Sequence, residues 1–536
     1  MTWRPDATQG NEAAKVRWEI VPFTVGRVLD LGCGPFKAFP HFIGVDNCKD
    51  TELFGTPMQP DVVVETCERL TGFEDESCDA VFSSHLLEHL EDPGSALAEW
   101  WRVIKPGGYL VLYLPHADLY PRCGQPGSNS DHKHDFMPRD VFDLMHFRCT
   151  SLLTGAGFEM VWNETRGGGD EYSFLQVYRK DATAQPRYID EPPRAEKSVC
   201  VVRYGGFGDQ IQAANILPAL KREGYHVTFM TTPKGHDILR RDPHVDGWLI
   251  QAPDQVPNHC LVEYWANWAK RFDRFINLSE SVEATLLAMP GRTNHQWPDA
   301  VRRKYMGLNY LEWTAELAEV PYASDARFYA AEDETAAVKG LLSHHGGHNT
   351  FHIMWALAGS SIHKFYPGQD IVIDAMARLG PDVHLYLVGD EACKVLESGW
   401  EEHPQVTCLS GELDIRGTLA LAQVVDCVIG PETGVLNAVA FEEAVAKVIM
   451  LSHSSHENLT KHWVNTAVIE PNVACYPCHR LHYGREWCPE HVETGAALCQ
   501  ATIPPDVVTR ELIGAYLKWS ADRDAERTPR LLAASA

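Results

Sequence analysis

A chain of 536 residues with 45% hydrophobic content is too long for one ordinary domain and can fill several cores, roughly three or four by length alone. Its formal charge of -26 argues against a protein that grips nucleic acid through bulk electrostatics, leaving only a local basic groove for such a partner. No run of about 18 uninterrupted apolar residues occurs, so no transmembrane span is expected. The opening "MTWRPDATQGNEAAKVRWEI" lacks the apolar region of a signal peptide. Fifteen cysteines in such a chain are expected as thiols or metal ligands in a reducing cytoplasm.

The first element is "RVLDLGCGPF" (27–36), an apolar strand entering a turn that holds Asp30, Gly32 and Gly34. The glycines let backbone approach a ligand closely, and a second strand, "FIGVD", ends on Asp46, where an acid is placed to accept from a ribose diol. A third strand, "CDAVFSSHLLEHL" (78–90), leads into a helix. "ALAEWWRVIKPGGYLVLYLPH" then reads as helix, turn and strand. Group transfer to oxygen or nitrogen needs a base near the acceptor, most often a histidine. His85, His89, His116, His132 and His134 all fall at strand ends or in the loops that follow, with His116 placed first because it directly follows the strand 109–115. Each also has the plainer reading of a packed or solvated side chain.

In this order "VLDLGCG", "GVD", "FSSHLLEHLEDP" and "EWWRVIKPGGYLVLYLP" resemble class I S-adenosylmethionine-dependent methyltransferases over about residues 25–180. The resemblance implies that Asp30 and the Gly32/Gly34 turn contact the methionine part of the cofactor, that Asp46 holds its ribose hydroxyls, and that Glu65–Glu68 lies near the adenine. Phe36 stands where a third glycine is expected. With only 12 residues from Gly34 to Asp46, the helix between the first two strands is expected to be truncated.

Residues 181–198, "DATAQPRYIDEPPRAEKS", are rich in proline and charge and read as a linker. The chain then begins again with "CVVRYGGFGDQIQAANILPAL" (200–220), a strand, a glycine turn and an amphipathic helix with Asp209 in its first turn. The positive end of the helix dipole favours a carboxylate there, as a cap, as a pre-positioned base, or as both. Later strands, "TFHIMWALAG", "HLYLVGD", "CVIGPETG" and "AKVIMLS", alternate with helices, which implies parallel sheets.

"GDQIQAANILP", "HVTFMTT", "HVDGWL", "FINLSES", "WALAGSSIHKFYPGQD", "LYLVGDE" and "CVIGPETGVLNAVA" together resemble the heptosyltransferase-like glycosyltransferases of family 9, which have the two-lobed GT-B architecture, over roughly residues 199–515. The resemblance implies Asp209 as general base for the acceptor hydroxyl. It assigns Ser360, Ser361 and Lys364 to the donor diphosphate, and Gly389, Glu432, Thr433, Gly434 and Asn437 to the nucleotide-sugar side of the cleft. The family usually has Asp and His where this chain has Glu432 and Asn437.

The late cysteines Cys475, Cys478, Cys488 and Cys499 follow the spacing C-x2-C-x9-C-x10-C, which suits a closed tetrahedral thiolate site for structural zinc or iron. Reduced thiols or one or two disulfides are the alternatives, and His479, His482 and His491 are substitute ligands. The expected fold class is α/β: a Rossmann-like methyltransferase domain (1–180), a linker (181–198), a GT-B acceptor lobe (199–340), a GT-B nucleotide-sugar lobe bearing the cysteines (341–518) and a frayed tail (519–536). The expected activity is a cytoplasmic bifunctional transferase. It would move a sugar with inversion from a nucleotide-sugar such as an ADP-heptose-like donor to a glycan or protein, and would methylate with S-adenosylmethionine. A scaffold with one degenerate half is one alternative, and sugar transfer onto modified nucleobases in DNA is another.

Overall fold

The computed structural model describes residues 10–150, 157–253, 255–279, 298–323, 326–359, 364–479 and 488–534. The chain divides into two compact units: residues 1–198 with 249–273, and residues 199–248 with 274–536. Ser360 and Ser361 lie outside the described residues.

The first unit is built on a seven-stranded sheet. Its strands are β1 (Val28–Leu31), β2 (Ile43–Asp46), β3 (Val62–Val63), β4 (Cys78–Ser84), β5 (Ile104–Pro115), β6 (Phe158–Gly168) and β7 (Glu171–Lys180). They lie in the order β3-β2-β1-β4-β5-β7-β6, parallel except for the last two pairings. Every residue of β1 is buried, as expected of a central strand covered on both faces. No helix separates β1 from β2, so the expected truncation is complete and the Gly-rich turn runs straight into the next strand. Between β4 and β5 the helix Pro93–Val103 starts sharply: Asp92 accepts from the Ser95 N–H at 3.0 Å, and proline occupies the first turn. That helix buries Trp100, whose indole donates to the Cys67 carbonyl at 2.8 Å.

The helix Leu261–Ala269 also belongs to this unit, although it lies some 80 residues beyond the last strand of the sheet, which ends at Lys180. Its Tyr264, Trp265 and Trp268 are buried. The Trp268 indole donates to the Trp18 carbonyl at 3.0 Å, and Trp18 donates to Glu263 at 2.9 Å. Arg271 pairs with Glu164 at 3.1 Å.

The second unit carries two sheets. In the first, β8 (Ser198–Val202), β9 (His226–Thr231), β10 (Gly247–Ile250) and β11 (Arg274–Asn277) lie in the order β10-β9-β8-β11. In the second, β12 (Phe351–Ala356), β13 (Val383–Val388), β14 (Val406–Cys408), β15 (Cys427–Pro431), β16 (Ala446–Met450) and β17 (Thr466–Ile469) form a fully parallel sheet ordered β14-β13-β12-β15-β16-β17. In both sheets the strand order reverses beside the first strand of the lobe. Ligands of open parallel sheets bind at the carboxyl ends of the strands beside such a reversal. The helix Pro505–Ala534 runs through most of the segment read as a tail. Among the described residues, no helix is long and apolar enough to cross a membrane.

Candidate active sites

In the first unit the order reverses between β1 and β4, and the expected cofactor residues gather there. Gly32 and Gly34 sit at φ +67° and +53°, conformations that a side chain rarely adopts. A Cβ at Gly32 would also strike Leu86 at 2.9 Å. Asp46 accepts from the Gly34 N–H through one carboxylate oxygen and from the Cys48 N–H through the other, both at 3.0 Å. The acid at the end of β2 therefore holds the glycine turn, and each oxygen keeps a second lone pair for a ribose hydroxyl. Burial pushes Asp30 up to about 7, against the Ala38 N–H that it accepts at 2.7 Å. Glu65 is exposed, whereas Glu68 accepts from the Glu91 and Asp92 amides. A glycine turn in left-handed backbone with a strand-end carboxylate beside it fits S-adenosylmethionine.

The histidines of this unit separate into two groups. His116 is buried next to β5, and its Nδ1 accepts from the Asp118 N–H at 3.2 Å. That contact commits the ring's lone pair and leaves the hydrogen on Nε2. His134 bonds the Leu90 carbonyl through Nε2 and stacks on Phe136. His85, His89 and His132 instead converge on Glu88, a residue the sequence reading passed over. Burial raises Glu88 to about 8 and lowers His85 to about 3 and His132 to about 4.

In the second unit a cavity of about 450 Å³ lies at the reversal points of both sheets. Its lining includes Asp209, Lys364, Gly389, Glu432, Thr433, Gly434 and Asn437, so every donor-side residue named from sequence that falls within the described residues reaches it. Asp209 lies in the first turn of the helix Phe207–Ala213 and keeps 18% of its side chain exposed. Its Oδ1 faces the buried guanidinium of Arg203 at 3.0 Å and accepts from the Tyr310 hydroxyl at 2.9 Å. Its Oδ2 accepts from the Gly206 N–H, at 2.8 Å. Lys364 is buried, and burial pulls it below its usual value against the opposing charges of Glu432 and Asp209. Its ammonium donates to the Glu432 carbonyl at 2.6 Å. The chain passes under it at Gly359, where an added Cβ would meet Lys364 Cδ at 2.6 Å.

Both departures from the family pattern have structural partners. Glu432 reaches across to the loop after β16, where one oxygen accepts from the Ser452, His453 and Ser454 amides at 2.7, 3.2 and 3.0 Å. The other oxygen pairs with the His453 ring. Burial would raise this carboxyl, but His453, Lys364 and the amides hold it at about 2. Asn437 accepts from Gln212 at 2.9 Å, where the helices Phe207–Ala213 and Gly434–Ala438 lie side by side. That meeting needs glycine on both sides: a Cβ on Gly434 would lie 2.1 Å from the Phe207 ring, and one on Gly208 would lie 3.0 Å from Gly434 Cα. Thr433 Oγ1 is buried beside the cavity with no partner among the described residues. Lys234, with its ammonium over the Phe207 ring, and His453 also line the space, and neither was signalled by the sequence.

Of the late cysteines, Cys478 and Cys488 lie near enough to Cys499 that their charges add to burial in raising its thiol to about 12. Among the described residues these thiols do not form a group tight enough to enclose an ion, while Glu88, His89 and His132 do.

The family described as "Methyltransferase domain" matches residues 29–112, and the N-terminal part of the chain carries that domain. A malonyl-[acyl-carrier protein] O-methyltransferase from Marinomonas is 33% identical over 105 residues, covering 19% of this chain and 38% of its own. An uncharacterised 37.1 kDa protein in a Streptomyces fradiae transposon is 38% identical over 148 residues, covering 24% and 42%. This chain spans 36–56% of the length of the curated relatives it matches. Among solved structures, the glycosyl transferase family 9 protein of Veillonella parvula aligns over 61% of this chain and all of its own at 14% identity, with a TM-score of 0.46.

Proposed function

We propose that the protein is a bifunctional transferase: one site transfers a sugar with inversion from a nucleotide-sugar to a glycan or protein hydroxyl, and the other methylates with S-adenosylmethionine. The observation that carries the reading is the cavity of the second unit, which sets a carboxylate, Asp209, in the same space as a buried lysine, Lys364. A sugar hydroxyl becomes an adequate nucleophile when its proton is removed as the new bond forms. Asp209 Oδ2 is the atom with acceptor capacity to spare, because Oδ1 is taken by Arg203 and Tyr310. Arg203 and Tyr310 fix the carboxylate in place. On the donor side, charge accumulates on the departing nucleoside diphosphate, and Lys364 with the Thr433 hydroxyl would stabilise it without a metal. Val388, Leu413 and Ile415 supply an apolar wall against which a base would pack.

In the first unit Asp46 would hold the ribose of S-adenosylmethionine, and the Gly32/Gly34 turn would lie against its methionine part. The bound cofactor supplies an electrophilic methyl group. The residues of the chain exclude water, orient the acceptor and take its proton. The sugar reading is tested by incubating the full chain with ADP-, UDP-, GDP- and CDP-sugars and following release of nucleoside diphosphate. Release above the rate of an Asp209→Asn variant, with one nucleotide strongly preferred, is expected. No release from any donor, and no nucleotide retained through purification, would overturn it.

A further inference from the structure

The segment after β4 and the loop after β5 bring three imidazoles to one carboxylate. Glu88 is fully buried, and neither of its oxygens has a hydrogen-bond partner among the described residues. His85 Nδ1, His89 Nε2 and His132 Nε2 each lie 3.8 Å from the same oxygen, Glu88 Oε1. An uncompensated buried carboxylate costs several kcal/mol, so the arrangement calls for a counter-charge.

The outer edges of the rings show which charge it is. His89 Nδ1 bonds the Asp131 carbonyl at 3.2 Å. A carbonyl only accepts, so Nδ1 carries the hydrogen, and in the neutral ring Nε2 turns a bare lone pair toward Glu88. His85 meets Ser173 Oγ through Nε2 at 3.0 Å, with its Nδ1 facing Glu88. A lone pair directed at a carboxyl oxygen is repulsive unless a proton or a metal ion sits between them, and 3.8 Å is too long for a shared proton but suits two ligands of one ion. Outer-edge hydrogen bonds that fix the tautomer are the usual support of metal-binding histidines.

The backbone is shaped to make the cluster. His85 adopts φ +50°, uncommon for a residue other than glycine, and the turn Leu87–His89 then brings positions 85, 88 and 89 to one side. The Glu88 carbonyl accepts from the amides of Lys133 and His134, which ties down the loop carrying His132. The His89 and His132 rings meet edge to face at 4.7 Å.

We propose that Glu88, His89 and His132 bind a divalent transition-metal ion. Mixed imidazole and carboxylate donors suit zinc, manganese or iron. Three protein ligands leave a coordination position open, unlike a closed structural site. The cluster also flanks Leu86, the side chain that packs on Gly32 of the cofactor turn.

The test uses the full chain, stripped with chelator and titrated with Mn²⁺ while free Mn²⁺ is followed by electron paramagnetic resonance. Manganese is chosen because it disfavours the thiolates of the late cysteines. One saturable equivalent is expected in the parent, lost in the His89→Ala/His132→Ala double variant and weakened at least tenfold in Glu88→Gln. S-adenosylmethionine affinity and the melting profile report the fold of each variant. Glu88→Gln keeps the side chain's shape, so it stands in if the double variant does not fold. Equal uptake by parent and Glu88→Gln would overturn the proposal. So would no saturable uptake by the parent together with a more stable Glu88→Gln, the result expected if Glu88 is merely a buried neutral acid.

Discussion

Replacing Glu432 with Gln isolates one electrostatic contribution. The amide keeps a carbonyl oxygen for the Ser452, His453 and Ser454 N–H groups but loses the charge that pairs with the His453 ring. Glu432 is held at about 2 against a model-compound value of 4.5. At 1.36 kcal/mol per pH unit, that gap corresponds to about 3 kcal/mol in favour of the folded state. Because the folded value is the lower one, this stability is fully present above pH 4.5 and disappears as pH falls toward 2. With an unfolding entropy of roughly 2.1 cal/mol/K per residue, a unit of this size would convert about 3 kcal/mol into a fall of about 5 °C. Calorimetry at pH 7 on parent and variant should show the second unit melting earlier by that amount, with the gap closing as pH falls below about 4. Equal melting temperatures at pH 7, or a gap unchanged down to pH 3, would refute the account of why glutamate stands here.

Other substitutions probe the remaining contacts. Asp46→Ala removes both the ribose acceptor and the brace on the Gly34 amide, and should weaken S-adenosylmethionine binding at least tenfold, about 1.4 kcal/mol, by calorimetric titration. Asp209→Asn should fold normally, bind donor and lose roughly a hundredfold or more in transfer rate, as expected of a missing general base; Lys364→Ala should weaken donor binding as well. Cys478→Ser should cost the full chain one equivalent of zinc or iron by elemental analysis, and equal metal content in parent and variant would remove the cysteine site. Gly434→Ala forces a Cβ into the Phe207 ring and should lower both stability and donor affinity. Gly340→Ala, in open space on the helix Glu332–His344, should instead stabilise by about 0.5–1 kcal/mol in a thermal melt.

The legibility of this chain follows from what each feature depends on. Strands such as Phe351–Ala356 are buried along their whole length, so their apolar runs signal parallel sheets directly. Glycine turns declare themselves because left-handed backbone and close approach exclude other residues, and the short span from Gly34 to Asp46 already leaves little room for a helix. Contacts that depend on topology carry no such signal. Tyr310 reaches Asp209 across 101 residues, and Gln212 meets Asn437 across 225, so nothing near either residue records the partner. Asn437 is visible in sequence as a departure, but its reason is the glutamine on another helix. The helix Leu261–Ala269 shows the same limit: Tyr264, Trp265 and Trp268 mark a buried face, and periodicity cannot say that the face packs against Trp18. Glu88 marks it most sharply. Its spacing to His85 and His89 is local, yet a glutamate between leucines and a histidine reads as an exposed helix position. Only the left-handed turn at His85 and the return of His132 from the following loop make it the centre of a cluster. Sequence identifies the residue types that chemistry needs, whereas the positive φ of one non-glycine residue decides here which of them meet.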